Sequence, residues 1–349
     1  MSFAVCGLFL GICGKKIYEW YRNTLSGYAK EEVQKGLHEH DTVDPTLIDR
    51  MTKQLKVVPV PLFAPEHLGE NMALDDKNIG GEGYTILSNK DTGKIALMAM
   101  TTKAKLLCNL LDKMPTTLLM RVKTISKDLA QGYDWVARTV FLNAVRIADK
   151  FHVVKLGMDA LQDVRIRYRQ EVLSLERKAK EEWKKAGKKM KEFIVMNPVE
   201  VLSNGETIKE LLAKSRYLLF SFESEWTDTQ RQRAGLLFER FPEIKEAYGI
   251  LCAFRNFYKC KTKEPESRHR AREALQRWYE KANASSIEEI KNFIHIVKSH
   301  EGEIINYFEE GHTNAFAESL NNKIQNFVRS NYGIRDRDFF HFRVKKHFS

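Results

Sequence analysis

NMALDDKNIGGEGYTILSNKDTGKIALMAM, residues 71–100, is the stretch whose reading decides the fold. Met72-Ala73-Leu74 is a short apolar run ending in Asp75-Asp76, Tyr84-Thr85-Ile86-Leu87 is a second, and Lys94 to Met100 is a third. Apolar runs this short, bounded by turn residues, predict strands rather than helices. Between the last two lies Asn89-Lys90-Asp91-Thr92-Gly93, whose glycine accepts the positive φ that closes a hairpin. Asp91 belongs to that turn, and the whole stretch predicts a β-meander.

Toward the C-terminus, Lys103 to Leu111 has helical spacing and Val122 to Ser126 predicts a fourth strand, followed by Lys127-Asp128. A helical stretch then runs through Tyr133, Val136 and Val140, and Ala144 to Ala148 predicts a fifth strand that stops at Asp149. The order β-β-β-α-β-α-β-α is a mixed α/β core whose strands end at carboxylates. Toward the N-terminus, Val57-Val58-Pro59-Val60-Pro61 breaks any helix and reads as a linker, because each proline forces its predecessor into extended geometry. Residues 14–50 predict short helices. Residues 2–13 are apolar but far short of the roughly 20 residues of a spanning helix. Lys15 and Lys16 follow that run instead of preceding it, which is not the layout of a signal peptide. A cytoplasmic protein with no membrane partner is expected.

From Phe151 to about His300 no strand is predicted. Residues 151–192 carry apolar residues at helical spacing, and further helices are expected over 207–220, 228–259, 268–282 and 286–308. In the segment Thr313 to Arg329, Phe316, Leu320, Ile324 and Phe327 form one apolar stripe, with Asn314, Glu318, Asn322, Gln325 and Arg329 opposite. The expected organisation is a helical remnant and linker over 1–60, a first part of the core over 61–164, a helical block over 165–305, and a closing helix with a basic tail over 306–349.

With 349 residues, 43% hydrophobic and 30% charged, the chain can bury a large core and is neither a disordered tail nor a polytopic membrane protein. Its five cysteines include no Cys-x-x-Cys pair, which suits a reducing compartment and offers no zinc site. The net charge of +11 is concentrated. Residues 165–191 hold 11 basic and 4 acidic residues, and residues 323–349 hold 7 and 2. Two short basic segments point to localised contact with a polyanion. Their candidate contacts are Arg165, Arg167, Arg169, Lys184, Lys185, Lys188 and Lys189 in the first, and Lys323, Arg329 and Arg335 in the second. Phe339, Phe340, Phe342 and Phe348 of the tail read as packing residues.

Carboxylates at the ends of neighbouring strands are held close only if something offsets their repulsion, and a divalent cation does so. Hard oxygen ligands bind Mg²⁺ with waters retained, and two such ions can activate a water and stabilise a leaving oxygen in phosphodiester attack. Asp75, Asp128 and Glu318 fit this arrangement. Side chains alternate along a strand, so only one of Asp75 and Asp76 faces a given side; Asp75, directly after the apolar residues, is the choice. Asp134 and Asp163 read as surface residues.

The order of strands and acids resembles the RNase H-like catalytic fold of DDE transposases, and the text is similar to insertion-sequence transposases of the ISL-three group, in particular its ISAon-like branch. The matching pieces are Leu74-Asp75-Asp76, Tyr84-Thr85-Ile86-Leu87, Lys127-Asp128-Leu129, Ala148-Asp149-Lys150-Phe151-His152, Tyr217-Leu218-Leu219-Phe220, Thr313-Asn314-Ala315 and Ala317-Glu318-Ser319-Leu320-Asn321. The resemblance covers roughly residues 60–349.

It implies an RNase H-like core with a mixed five-stranded sheet, interrupted by a large all-helical insertion. Asp75 would be the first catalytic aspartate, Asp128 the second and Glu318 the closing glutamate, together holding two Mg²⁺ ions, with Mn²⁺ as a substitute. Asp149 and His152 match an Asp-x-x-His signature near the site, and Asn314 and Asn321 belong to the motif around Glu318. The implied partners are double-stranded DNA at element ends and target DNA, with further copies of the chain in a synaptic assembly. The first 60 residues contain no zinc pattern and no clear helix-turn-helix, so either a separate polypeptide would recognise the element ends or this copy is truncated. The alternatives are a relic that only binds DNA and an RNase H-like nuclease without joining activity.

Overall fold

The computed structural model describes residues 3–29, 47–48, 55–56, 58–187, 199–260, 264–310, 315–330 and 336–348, with the single residues 193, 196 and 262. The chain forms two compact units, one of Met1–Asp149 with His312–Ser349 and one of Lys150–Gly311. Among the described residues no helix is long and apolar enough to cross a membrane.

In the first unit β1 (Leu47–Ile48) and β2 (Leu55–Lys56) form a small antiparallel pair, the first of them inside the 14–50 stretch where short helices were expected. The main sheet has six strands, in the order β3-β6-β5-β4-β7-β8. They are β3 (Leu62–Phe63), β4 (Asn71–Ile79), β5 (Glu82–Asn89), β6 (Ile95–Ala99), β7 (Thr124–Lys127) and β8 (Val145–Ala148). The strand beyond the five expected is β3, which pairs Leu62 with Met98 and Phe63 with Leu97 on the sheet edge. It starts directly after Pro61, and an edge tolerates a proline with no N–H to give.

A second correction concerns β4, which does not stop at Asp75-Asp76. Its antiparallel ladder with β5 runs on to the pair Ile79 and Glu82, closed by Gly80 and Gly81 at φ 64° and 90°. Positive φ at both turn residues matches the twist of the two strands. The parallel ladder between β4 and β7 ends earlier, at the pair Leu74 and Lys127. At Asp75, therefore, β4 keeps one neighbour and loses the other.

Helices cover both faces of the sheet. On one, Met72, Leu74, Leu87 and Ile125 pack with Leu107 and Leu111 of α3 (Ala104–Leu111) and with Tyr133, Val136 and Ala137 of α5 (Gln131–Val140). On the other, Tyr84, Ile86 and Met98 pack with Leu320 and Ile324 of α13 (Ala315–Ser330) and with Phe340 and Val344 of α14 (Arg337–Phe348). The remaining helices of this unit are α1 (Phe3–Leu10), α2 (Gly14–Trp20) and the single turn α4 (Thr116–Leu119). Phe339 and Phe342 of α14 are buried against Tyr28.

The second unit is helical, and among its described residues the β content is one isolated bridge, Val201 with Thr207. Its helices are α6 (Lys150–Lys185), α7 (Ile208–Lys214), α8 (Asp228–Arg240), α9 (Pro242–Phe257), α10 (Ser267–Ala282), α11 (Glu288–Ser299) and α12 (Glu301–Glu310). The single helix expected over 228–259 is two, because Pro242 has no N–H to continue α8 but suits the first position of α9. The one expected over 286–308 also divides, at His300. Helix α6 packs on α7, α9 and α11.

Candidate active site

Two ladders fix the level of three carboxylates. Leu74 pairs with Lys127 across β4 and β7, and Lys127 pairs with Ala148 across β7 and β8. Asp75, Asp128 and Asp149 each follow those residues, so all three stand one step beyond the last shared rung, at the carboxyl ends of the parallel ladders. In an open sheet with parallel strands this is the edge where ligands bind. Asp75 and Asp128 are half-buried and Asp149 is buried.

Each of the first two is oriented by the backbone that follows it. Asp75 Oδ1 accepts from the Asp76 N–H at 2.8 Å, and Asp128 Oδ1 accepts from the Leu129 N–H at 2.6 Å. Alternation along β4 puts Asp75 on the face of its partner Ile86 and Asp76 on the face of its partner Thr85. Ile86 belongs to the face that α13 covers. Helix α13 packs against β4, and Glu318 is its fourth residue, two before the buried Leu320. The side chains of Glu318 and Asn321 lie outside the described residues, as does Asn314 altogether.

Carboxylate oxygens are ligands for a hard divalent cation, and Asp75, Asp128 and a glutamate from α13 fit one chemically. Among the described residues no group of three or more His, Cys, Asp or Glu stands close enough to hold an ion. His152 is half-buried near the start of α6, with Phe151 edge-on at 5.6 Å between ring centroids.

The opposite face carries a polar arrangement that the sequence reading missed. The Thr85 hydroxyl donates to the Thr101 carbonyl at 2.6 Å, so the Tyr133 hydroxyl, 3.0 Å away, donates to Thr85. Burial raises the Tyr133 pKa well above the ordinary phenol value; the Thr85 bond opposes this, and the Asp76, Asp75 and Asp128 charges add to it. Tyr133 therefore stays a neutral donor at any physiological pH. Lys127, next to Asp128, is fully buried and its Nζ lies 3.3 Å from Asp134 Oδ1. Asp134, expected on the surface, is thus the carboxylate beside a buried ammonium, and Arg138 pairs with it at 2.7 Å. A polar pair of residues ahead of Asp128, Ser126-Lys127, was the available signal. Asp163 is exposed, as expected.

The basic segments divide sharply. Arg165 is buried, with Nε donating to Gln162 Oε1 at 2.7 Å and Nη1 to the Leu212 carbonyl at 2.8 Å, so it is a packing residue and not a phosphate contact. It lies on the core side of α6, where the run of alternating arginines crosses the apolar stripe. Arg167 is partly exposed but held by Glu243 at 2.6 Å and Glu289 at 2.8 Å. Arg169, Lys184, Lys185, Lys323 and Arg329 are exposed. Lys188, Lys189 and Arg335 lie outside the described residues.

The arrangement is a sheet edge at which three aspartates stand at one level, on a mixed sheet with α13 packed against one of its faces. Residues 72–344 match the family described as Transposase, of the ISL-three (ISL3) type. The chain belongs to this transposase family. Over 240 residues it is also 21% identical to the transposase for insertion sequence element IS1001 of Bordetella parapertussis, an alignment covering 68% of this chain and 50% of that protein. The chain therefore spans about half the length of the curated relative it matches. No solved structure matches.

Proposed function

We propose that this chain is the catalytic polypeptide of an insertion-sequence transposase, cleaving DNA strands at element ends and transferring them to target DNA in the cytoplasm. The observation that carries this reading is the common level of Asp75 and Asp128 on adjacent parallel strands, on a sheet covered by the helix that contains Glu318. The strand order, with its antiparallel meander beside two parallel strands, supports an RNase H-like core. The helical unit that divides this core in sequence is then its insertion domain.

Asp75, Asp128 and Glu318 hold two Mg²⁺ ions, with Mn²⁺ able to replace them. When bound, such ions lower the pKa of a water and neutralise the charge that develops on a leaving oxygen. The chain's own residues do the rest. The Asp76 N–H donates to Asp75 Oδ1 and the Leu129 N–H to Asp128 Oδ1, and Asp149 stands at the same level on the next strand. Exposed Arg169, Lys184, Lys185, Lys323 and Arg329 meet DNA phosphates, which gives affinity with a steep salt dependence and no sequence information. Further copies of the chain assemble on paired ends.

The test is cleavage and strand transfer on duplex DNA carrying an element end, with Mg²⁺, for the natural chain and for Asp75→Asn, Asp128→Asn and Glu318→Gln. Nicked and joined products from the natural chain alone are expected. Equal background from all four would leave a DNA-binding relic, and cutting without joining would leave an RNase H-like nuclease.

A further inference from the structure

Asp75 and Asp128 share a level but not the means by which their direction is held. Past Leu74, β4 stays paired to β5, and Asp75 itself lies opposite Ile86 in that ladder, so pairing dictates the face on which its carboxylate stands. Asp128 has no such ladder. Strand β7 leaves both of its neighbours at Lys127, opposite Leu74 on one side and Ala148 on the other. The torsions of Lys127 therefore decide where the Asp128 carboxylate goes.

Lys127 is held at both its backbone and its side chain. Its carbonyl accepts from the Asp149 N–H at 2.9 Å, which ties it to the chain leaving β8. Its side chain, wholly withdrawn from solvent, lies on the face of Ile125, toward α5, where Nζ stands 3.3 Å from Asp134 Oδ1. Asp134 also meets Arg138 at 2.7 Å and Arg146 of β8 at 3.8 Å, so one carboxylate of α5 gathers cations from α5, β7 and β8. With carbonyl and side chain both fixed, the strand does not turn about its axis at Lys127. Alternation then sends Asp128 away from α5, to the face that Asp75 occupies.

Stability alone does not account for this lysine. Taking an ammonium out of water is costly, and an apolar residue in such a position is often as stable or more so. The residues beside it on the same rung, Leu74 and Ala148, are apolar and buried. An apolar side chain packs as well with the strand end slightly rotated, whereas the ammonium is satisfied only where Asp134 is. We infer that Lys127 and Asp134 are positioning residues, an ion pair that aims Asp128 at the metal site it shares with Asp75. The inference rests on the proposed role of Asp128 and adds what holds Asp128 to that role.

The test compares the full natural chain with Lys127→Met, which keeps the length of the side chain and removes its charge, and with Asp134→Asn, each shown to be folded by circular dichroism at the temperature used. Amide hydrogen exchange is read by NMR without metal or DNA. The Leu129 and Asp149 N–H groups, both engaged at this strand end, should exchange about tenfold faster in Lys127→Met, with β5 unchanged. Mn²⁺ binding is then titrated by electron paramagnetic resonance, and Lys127→Met should bind about tenfold more weakly. By charge alone the loss of a cation would favour the ion, so weaker binding reports geometry. Natural exchange rates in Lys127→Met, or Mn²⁺ bound as tightly as by the natural chain, overturn the proposal. Asp128→Asn separates this from the reading of the site: if that variant loses Mn²⁺ while Lys127→Met keeps it, the positioning role alone falls. If Asp128→Asn binds Mn²⁺ as the natural chain does, the metal role of Asp128 falls, and the exchange rates alone decide whether Lys127 positions it.

Discussion

The ammonium of Lys127 lies 3.3 Å from the Asp134 carboxylate, with the Lys127 side chain wholly withdrawn from solvent. A buried charge is tolerated when an opposite charge meets it, and removing one partner is far worse than never having had the pair. Asp134→Ala takes the carboxylate away from Lys127 and should cost about 3 kcal/mol of unfolding free energy. Lys127→Met should cost less, since Asp134 keeps Arg138 at 2.7 Å. The double variant should be more stable than Asp134→Ala alone. Urea unfolding followed by circular dichroism measures all three, and an Asp134→Ala variant as stable as the natural chain would show that the pair carries no such weight.

Gly157 of α6 and Gly249 of α9 are both helix-interior glycines, and they make opposite cases. A Cβ on Gly157 would stand 2.4 Å from Leu251 and 2.8 Å from Phe293, both in the core of the helical unit. Gly157→Ala should therefore destabilise by about 1–3 kcal/mol through overpacking. Gly249→Ala, with open space ahead of its Cβ, should gain about 0.5–1 kcal/mol from helix propensity. Melting curves of the two variants should move in opposite directions.

Much of this was legible in the sequence because short-range rules govern it. The hairpin at Asn89 to Gly93, the helix over Ala104–Leu111 and the strand before Asp149 follow from local pattern and turn chemistry. The extent of β4 was not legible. Whether the strand ends at Asp75 depends on which neighbour is still pairing there, and β5 lies closer along the chain than β7 and stays paired to Ile79. Arg165 misled for a related reason. A basic residue within an alternating run reads as exposed until the helix's packing neighbours, which come some 50 residues later at Leu212, are known. The carbonyl and the Gln162 amide that receive its guanidinium have no local signature. For Asp134 the signal lay elsewhere in the chain, in the polar Ser126-Lys127 of β7, since its role depends on that lysine.

Glu206 gives the chain a defined response to acid. Its carboxylate accepts from Arg233 Nη2 at 2.7 Å and Nε at 3.0 Å, from Asn204 Nδ2 at 3.0 Å, and lies 3.4 Å from Lys214 Nζ. The Arg233 bonds hold its pKa below the ordinary carboxylate value against the opposing effect of burial. A group whose folded pKa is lowered stabilises the fold above its unfolded pKa, roughly 4.3, and that stabilisation is lost as pH falls through the folded value. Glu206→Gln should lower stability at pH 7 by about 2 kcal/mol. As pH falls below about 4.3 and on through the lowered folded value, the two curves should converge. Melting temperatures from pH 7 down to 3 test this, and parallel curves would refute it.

Asp75 and Asp76 separate the register argument from a general need for negative charge. The two are adjacent, yet alternation sends Asp75 to the face of Ile86, under α13, and Asp76 to the face of Thr85 and Tyr133. If phosphodiester chemistry takes place on the α13 face, Asp75→Asn removes a ligand of the ions and should lower strand cleavage by about a thousandfold, the equivalent of several kcal/mol of transition-state stabilisation. Asp76→Asn keeps every group on that face, including the backbone N–H that Asp75 Oδ1 accepts from, and should retain cleavage within about tenfold. Comparing single-turnover rates at saturating Mg²⁺ with rates across an Mg²⁺ titration distinguishes a lost ligand from a displaced strand. A displaced strand would also lower the melting temperature, which Asp75→Asn should leave in place. If the Asp76 variant is the inactive one, the sheet presents its site on the α5 side, and Tyr133, not α13, overlies the chemistry.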